Sequence, residues 1–155
     1  MDFKWHSFCE LKLAQLYACL ALRSSVFVVE QNCAFLDLDG RDFKALHLLG
    51  EESGVIVAYL RFFPPSENEK MVSFGRILTA ESVRKKGYGK ALMSELLKYS
   101  AQHFPGIGIQ CSAQYRLKAF YESFGFEALG DIYLEDEIQH IAMRKLAGCS
   151  VNKNQ

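Results

Sequence analysis

The 155-residue chain is half apolar and carries 18 basic residues against 18 acidic ones. That length and apolar fraction suit one domain, residues 1–155 with a core of about 3–147, built on a full hydrophobic interior. The cancelled charge excludes the global positive field of a general nucleic-acid or anionic-membrane binder, so any anion site must be local.

Cys9, Cys19, Cys33, Cys111 and Cys149 are odd in number and include no C-x-x-C pair, so reduced thiols in a cytoplasm are expected rather than disulfides or a zinc knuckle. Met1-Asp2-Phe3-Lys4-Trp5-His6 lacks the apolar core of a signal peptide, and no apolar run is expected to reach the ~20 residues that span a bilayer. Phe3, Trp5 and Ser7 alternate with polar neighbours and predict an opening strand. From Glu10 the period changes. Leu13, Leu16, Tyr17 and Leu20 predict the buried stripe of a helix ending near Arg23 and Ser24, and 25–31 reads as its continuation. Residues 33–42 read as a loop; its acidic run is no calcium site, because Gly40 comes too early and no Glu closes the motif.

Two apolar runs, 45–49 and 55–62, flank a glycine-bearing turn at 50–54 and predict an antiparallel hairpin. After a surface loop at 64–69, residues 71–79 return as a third strand. Leu92, Met93, Leu96 and Leu97 give the next helix its stripe, which Phe104-Pro105-Gly106 ends. Ile107, Ile109 and Cys111 alternate as a buried strand. Leu117, Phe120, Tyr121 and Phe124 then mark a short helix stopped by Gly125, and 126–134 with 140–146 predict a closing hairpin ahead of a polar tail after Cys149. The fold class is mixed α/β.

Between the third strand and its following helix lies Arg84-Lys85-Lys86-Gly87-Tyr88-Gly89-Lys90. Free N–H groups and the dipole at a helix N-terminus favour negative charge, and the glycines let successive amides face a phosphate. A Walker loop ending at Gly89 and Lys90 would need Gly where Arg84 stands, and a dinucleotide fingerprint from Gly87 would need a small residue where Leu92 stands. A plain solvated basic turn is the competing reading.

Arg84-Lys85-Lys86-Gly87-Tyr88-Gly89 resembles the [QR]-x-x-G-x-[GA] acyl-CoA motif of the GNAT superfamily of N-acetyltransferases. Leu36-Asp37-Leu38-Asp39-Gly40, Tyr133-Leu134-Glu135-Asp136 with His140, and the run from Leu22 to Gln31 resemble its ElaA-like branch, so the similarity covers almost the whole chain. The resemblance implies a central mixed, splayed β-sheet flanked by helices. It also implies acetyl-CoA as acetyl donor, with pantetheine lying along Ile77, Leu78 and Thr79 and pyrophosphate on Arg84 through Lys90. Gln114 stands where many members carry Asn, as a pantetheine contact.

Acetyl transfer needs a neutral amine, a stabilised oxyanion and help for the departing thiolate. The resemblance assigns that help to Tyr121, whose plainer reading is a core aromatic. Glu30, His47 and His140 fall in family-like segments and can titrate, so they are the candidates for base and amine positioning. Each has a structural reading too: a helix anchor, a satisfied core histidine and a packed strand residue. Cys111 with His140 as a thiol nucleophile is disfavoured, since no acid orients the pair. A non-catalytic acyl-CoA sensor is the competing class, against which Tyr121 weighs. Asp37, Asp39, Glu135 and Asp136 are candidates to attract a cationic amine, with plain solvated loops as the competing reading, and the acceptor stays open among small amines, polyamines, peptide N-termini and lysine. No metal, nucleic acid or membrane partner is expected, and a homodimer stays open.

Overall fold

Short extended segments with one apolar face cannot stand alone, and in the computed structural model, which describes residues 1–148, they pair into one seven-stranded sheet. The strands are β1 (Asp2–Ser7), β2 (Leu46–Glu52), β3 (Val55–Phe63), β4 (Val72–Thr79), β5 (Ile109–Gln114), β6 (Glu127–Glu135) and β7 (Ile138–Lys145). Their spatial order is β1-β2-β3-β4-β5-β7-β6, and every pair is antiparallel except β4 with β5. Helices α1 (Leu13–Arg23), α2 (Tyr88–His103) and α3 (Lys118–Glu122) flank this mixed sheet, as the α/β expectation requires. The tail expected after Cys149 lies outside the described residues.

The splay that positions the site comes from one pairing and one bulge. β4 and β5 pair only at Val72 with Ile109 and at Ser73 with Gln110. Beyond these, the register of β4 against β3 shifts between Tyr59 and Arg61, and Arg76 takes a left-handed φ of 52°. An extra residue bends the strand that holds it. Leu78 and Thr79 therefore stay with Tyr59 and Ala58 of β3, and β5 diverges from them.

Two cores hold the sheet. Leu92, Met93 and Leu96 of α2 with Tyr121 of α3 pack against Leu48, Phe62 and Phe74, whereas Cys19 and Val26 on the other face pack against Leu49, Tyr59 and Leu78. The β2–β3 turn is tighter than expected: Ser53 and Gly54, with φ of 52° and 79°, make it alone. Gly50 is therefore a strand residue. Its lack of a side chain serves packing, since an added Cβ would meet Ala58 Cβ and Phe3 Cε1 at 2.8 Å. Gly50→Ala should cost about 1–3 kcal/mol by overpacking, readable as a lower urea midpoint at unchanged m; an unchanged midpoint would refute this role.

The α1 stripe read from the sequence is covered only in part, with Leu16 and Leu20 half-buried. Leu13 and Tyr17 are 85% and 78% exposed, and Cys19, Arg23 and Val26 are buried instead. The helix is apolar on most sides, so period alone does not choose a face. Residues Ser24–Glu30 do continue it, in wider π-helical turns. Together Leu13–Glu30 form 18 helical residues of mean hydropathy 1.3, enough by length and composition alone to cross a membrane, a test that core helices of soluble proteins also pass.

What chooses the face of α1 is a buried ion network. Arg23 bonds Asp37 at 2.8 Å and Asp42 at 2.7 Å; Arg61 bonds Asp39 at 2.7 Å and Asp42 at 3.1 Å; Arg76 bonds Asp37 at 2.6 Å. Burial pushes the Asp39 and Asp42 carboxyls up, but these guanidiniums outweigh it and hold both below the ordinary range. Asp37 and Asp39, expected to attract an amine, are thus already neutralised by arginines.

Candidate active site

After β4 the chain turns through Glu81–Val83, reaches a left-handed Lys85 at φ 67°, and enters α2 at Gly87, whose φ is 83°. An added Cβ at Gly87 would meet nothing within 4 Å, so the left-handed backbone rather than crowding calls for glycine. Amides of the first turn have no acceptor within their own helix. They border a cavity of about 360 Å³ lined by Thr79, Arg84, Lys85, Gly87, Gly89 and Lys90 among others.

The basic residues around it are not equivalent. Arg84 grips Glu30 with both terminal nitrogens, at 2.6 and 2.7 Å. Lys86 reaches Glu52 at 3.2 Å, and the Tyr88 hydroxyl donates to the same carboxylate. Lys85 and Lys90 form no ion pair among the described residues and remain as the unmatched charges. The Arg84 hydrogen bond holds the Glu30 carboxyl below its ordinary range, which makes it a weaker base.

A second cavity, of about 440 Å³, opens between β4 and β5 and brings Ile77, Gln114, Tyr121 and His140 together. Tyr121 is 4% exposed and packs edge-on against Phe126, with centroids 6.1 Å apart. Burial, and secondarily the Cys111 thiol, push its phenol well above the usual value, so it stays protonated at neutral pH. Burial pushes the Cys111 thiol up to about 12, which keeps it from being a thiolate nucleophile.

His140 Nδ1 lies 2.8 Å from the Ile138 carbonyl oxygen. A carbonyl only accepts, so Nδ1 carries a proton, and the tautomer this selects has its lone pair on Nε2. Gln114 donates to Gln31 at 3.1 Å and accepts from Arg116 at 2.9 Å, which fixes its amide across the opening.

Four expected residues line neither cavity: Glu30 and Lys86, whose ion pairs are given above, and His47 and Leu78. His47 is buried and lines neither cavity; its ring meets the Tyr59 hydroxyl at 2.7 Å and the Asp42 carbonyl at 3.0 Å, and burial lowers its pKa. The Leu78 side chain belongs to the smaller core. The sequence reading named Glu135 as an amine attractor but missed its grouping with Ser112 and Tyr133: Ser112 donates to Glu135 at 2.8 Å and also meets the Tyr133 hydroxyl, in the wall of the larger cavity. The alternation of Tyr133 and Glu135 along β6, with His140 facing Tyr133 on β7, was the available signal.

A splayed mixed sheet with a glycine anion loop at the helix after its diverging strand defines the acyl-CoA acyltransferase class of fold. The family model described as an acetyltransferase (GNAT) domain matches residues 39–147, and the chain belongs to that family. The likeness extends to Escherichia coli protein ElaA, 41% identical over 88% of this chain and 90% of that protein. Among solved structures, an acyl-CoA N-acyltransferase from Pseudomonas aeruginosa superposes with a TM-score of 0.88 at 37% identity, covering 94% of this chain and 99% of that one. The Escherichia coli ElaA structure superposes with a TM-score of 0.86 at 38% identity, covering 93% and 98%.

Proposed function

We propose that this chain is an acetyl-CoA-dependent N-acetyltransferase that moves acetyl directly to a primary amine, acting as one domain in the cytoplasm. The observation that carries this reading is the end of β4. Ile77 lines the larger cavity and Thr79 the smaller, so one unpaired strand edge links an anion cradle to a polar cleft. A pantetheine-like chain can pair along such an edge as an added strand.

The residues present fit the cosubstrate. First-turn amides of α2, with Lys85 and Lys90, would hold the pyrophosphate, and Glu30 would position Arg84 rather than act as base. Acetyl-CoA would supply an acyl carbon already activated as a thioester. Ser112, Tyr133 and Glu135 would seat the amine, and His140 Nε2 would take its proton as the C–N bond forms and the C–S bond breaks. Tyr121 would donate to the departing sulfur. His47 serves the core in this scheme.

Incubating the protein with acetyl-CoA and a panel of amines should release free thiol together with an acetylated product of matching mass. Tight CoA binding with no thiol release for any amine would overturn this reading in favour of a sensor. For the cradle, Lys85→Gln with Lys90→Gln should weaken CoA binding about tenfold at low salt, with the loss shrinking as salt rises. Calorimetry giving equal affinities at low salt would remove both lysines from the site.

A further inference from the structure

The larger cavity has two chemically unlike ends. Where β4 and β5 diverge, its wall carries Glu135, Asp136 and His140, and neither carboxylate forms an ion pair among the described residues. At the other end, where Ser73 pairs with both Gln110 and Phe63, the wall carries Arg41 and Arg61, and Arg76 lines the cavity further along β4. Arg41 and Arg61 both stand over the Phe63 ring, 4.3 and 5.1 Å from its centroid.

The ion pairs at that end leave one arginine over. Arg23, Arg61 and Arg76 are committed to Asp37, Asp39 and Asp42, three cations against three anions. Arg41 is the surplus. It is exposed, and its side chain enters no ion pair among the described residues. Beneath it, the Nε of Arg61, a residue only 2% exposed, is buried without an acceptor. Glu69 also lines the cavity and offsets Arg41 in formal charge, but the two form no ion pair among the described residues. A second cation on the acceptor would meet these guanidiniums; an anion would meet Arg41.

We propose that the acceptor is an amino-carboxylate: its amine lies toward Glu135 and His140, and its carboxylate is received by Arg41. The inference rests on the acetyltransferase reading and adds the substrate class. The stretch of β5 from Gln110 to Gln114 spans roughly 13 Å at about 3.3 Å per residue. An extended tripeptide, at about 3.5 Å per residue, covers most of that length, whereas a single amino acid does not. A short peptide with free termini therefore matches both the charges and the reach, whereas a polyamine of similar reach would bring a second cation to the arginine end.

The test is binding of triglycine, triglycinamide and spermidine to the protein saturated with coenzyme A, read by calorimetry at low salt. Triglycine should bind about tenfold more tightly than its amide, and spermidine more weakly than either. Arg41→Gln should make acid and amide bind alike, and Glu69→Gln should widen the difference. Equal or tighter binding of the amide or of spermidine, no binding of any probe, or a preference that survives Arg41→Gln would overturn the proposal. Because the readout is binding, triglycine that binds with the stated preference but is never acetylated supports this ligand class and counts against the transferase reading instead.

Discussion

Arg23→Ala should lower the unfolding free energy by about 3 kcal/mol, measured as a lower urea midpoint with m unchanged. Arg23 is 1% exposed and bonds both Asp37 and Asp42. Removing one partner of a buried pair commonly costs about 3–5 kcal/mol, because it strands a desolvated charge. The lower end applies here: Asp37 keeps Arg76, and Asp42 keeps Arg61. The network also fixes an acid response. The Asp42 carboxyl ionises below its ordinary 3.8, so its contribution is complete above that pH and is lost as pH falls through the folded value. Arg23→Ala should flatten that acid slope. A loss below about 1 kcal/mol would mean that the remaining arginines and water take over the charge, and the network would not be what orients α1.

That network also explains which features were legible in the sequence. Strands showed themselves by local alternation, and the anion loop by glycines and lysines packed into seven consecutive positions, 84–90. Ion pairs carry no such local mark. Arg23 finds its aspartates 14 and 19 residues on, Arg61 pairs 22 residues back and Arg76 39 back, so Asp37 and Asp39 looked like free surface charge. The face of α1 was misread in part for the same reason, since a distant partner decides it. Glu30 lies 54 residues from Arg84, and only the fold shows that it clamps the 84–90 loop through that arginine. The Ser112 cluster was hidden by topology: β7 enters between β5 and β6, and a hairpin pattern alone does not show which strand lies inside. Tyr121 was singled out by resemblance, and its burial among Phe74, Phe120 and Phe126 shows the core role, with the proposed site role resting on its place in the wall of the larger cavity.

Tyr121→Phe separates those two roles. The substitution keeps the ring that packs against Phe74 and Phe126 and removes one hydroxyl, for which no protein partner is found among the described residues. Stability and CoA affinity should therefore change little. The chemical step should suffer. Burial raises the phenol pKa, so complete proton transfer to a thiolate is uphill, and the useful contribution is a hydrogen bond that strengthens as charge gathers on sulfur. A hydrogen bond to a charged group is worth about 1.5–3 kcal/mol, which corresponds to roughly a 10- to 150-fold loss in kcat. The loss should fall on kcat and kcat/KM alike, because the bond is made in the transition state and not in the ground state. Single-turnover acetyl transfer to an accepted amine is the measurement that isolates this step from product release. If the folded variant transfers acetyl at the wild-type rate, the thiolate leaves unaided and Tyr121 is a core aromatic alone.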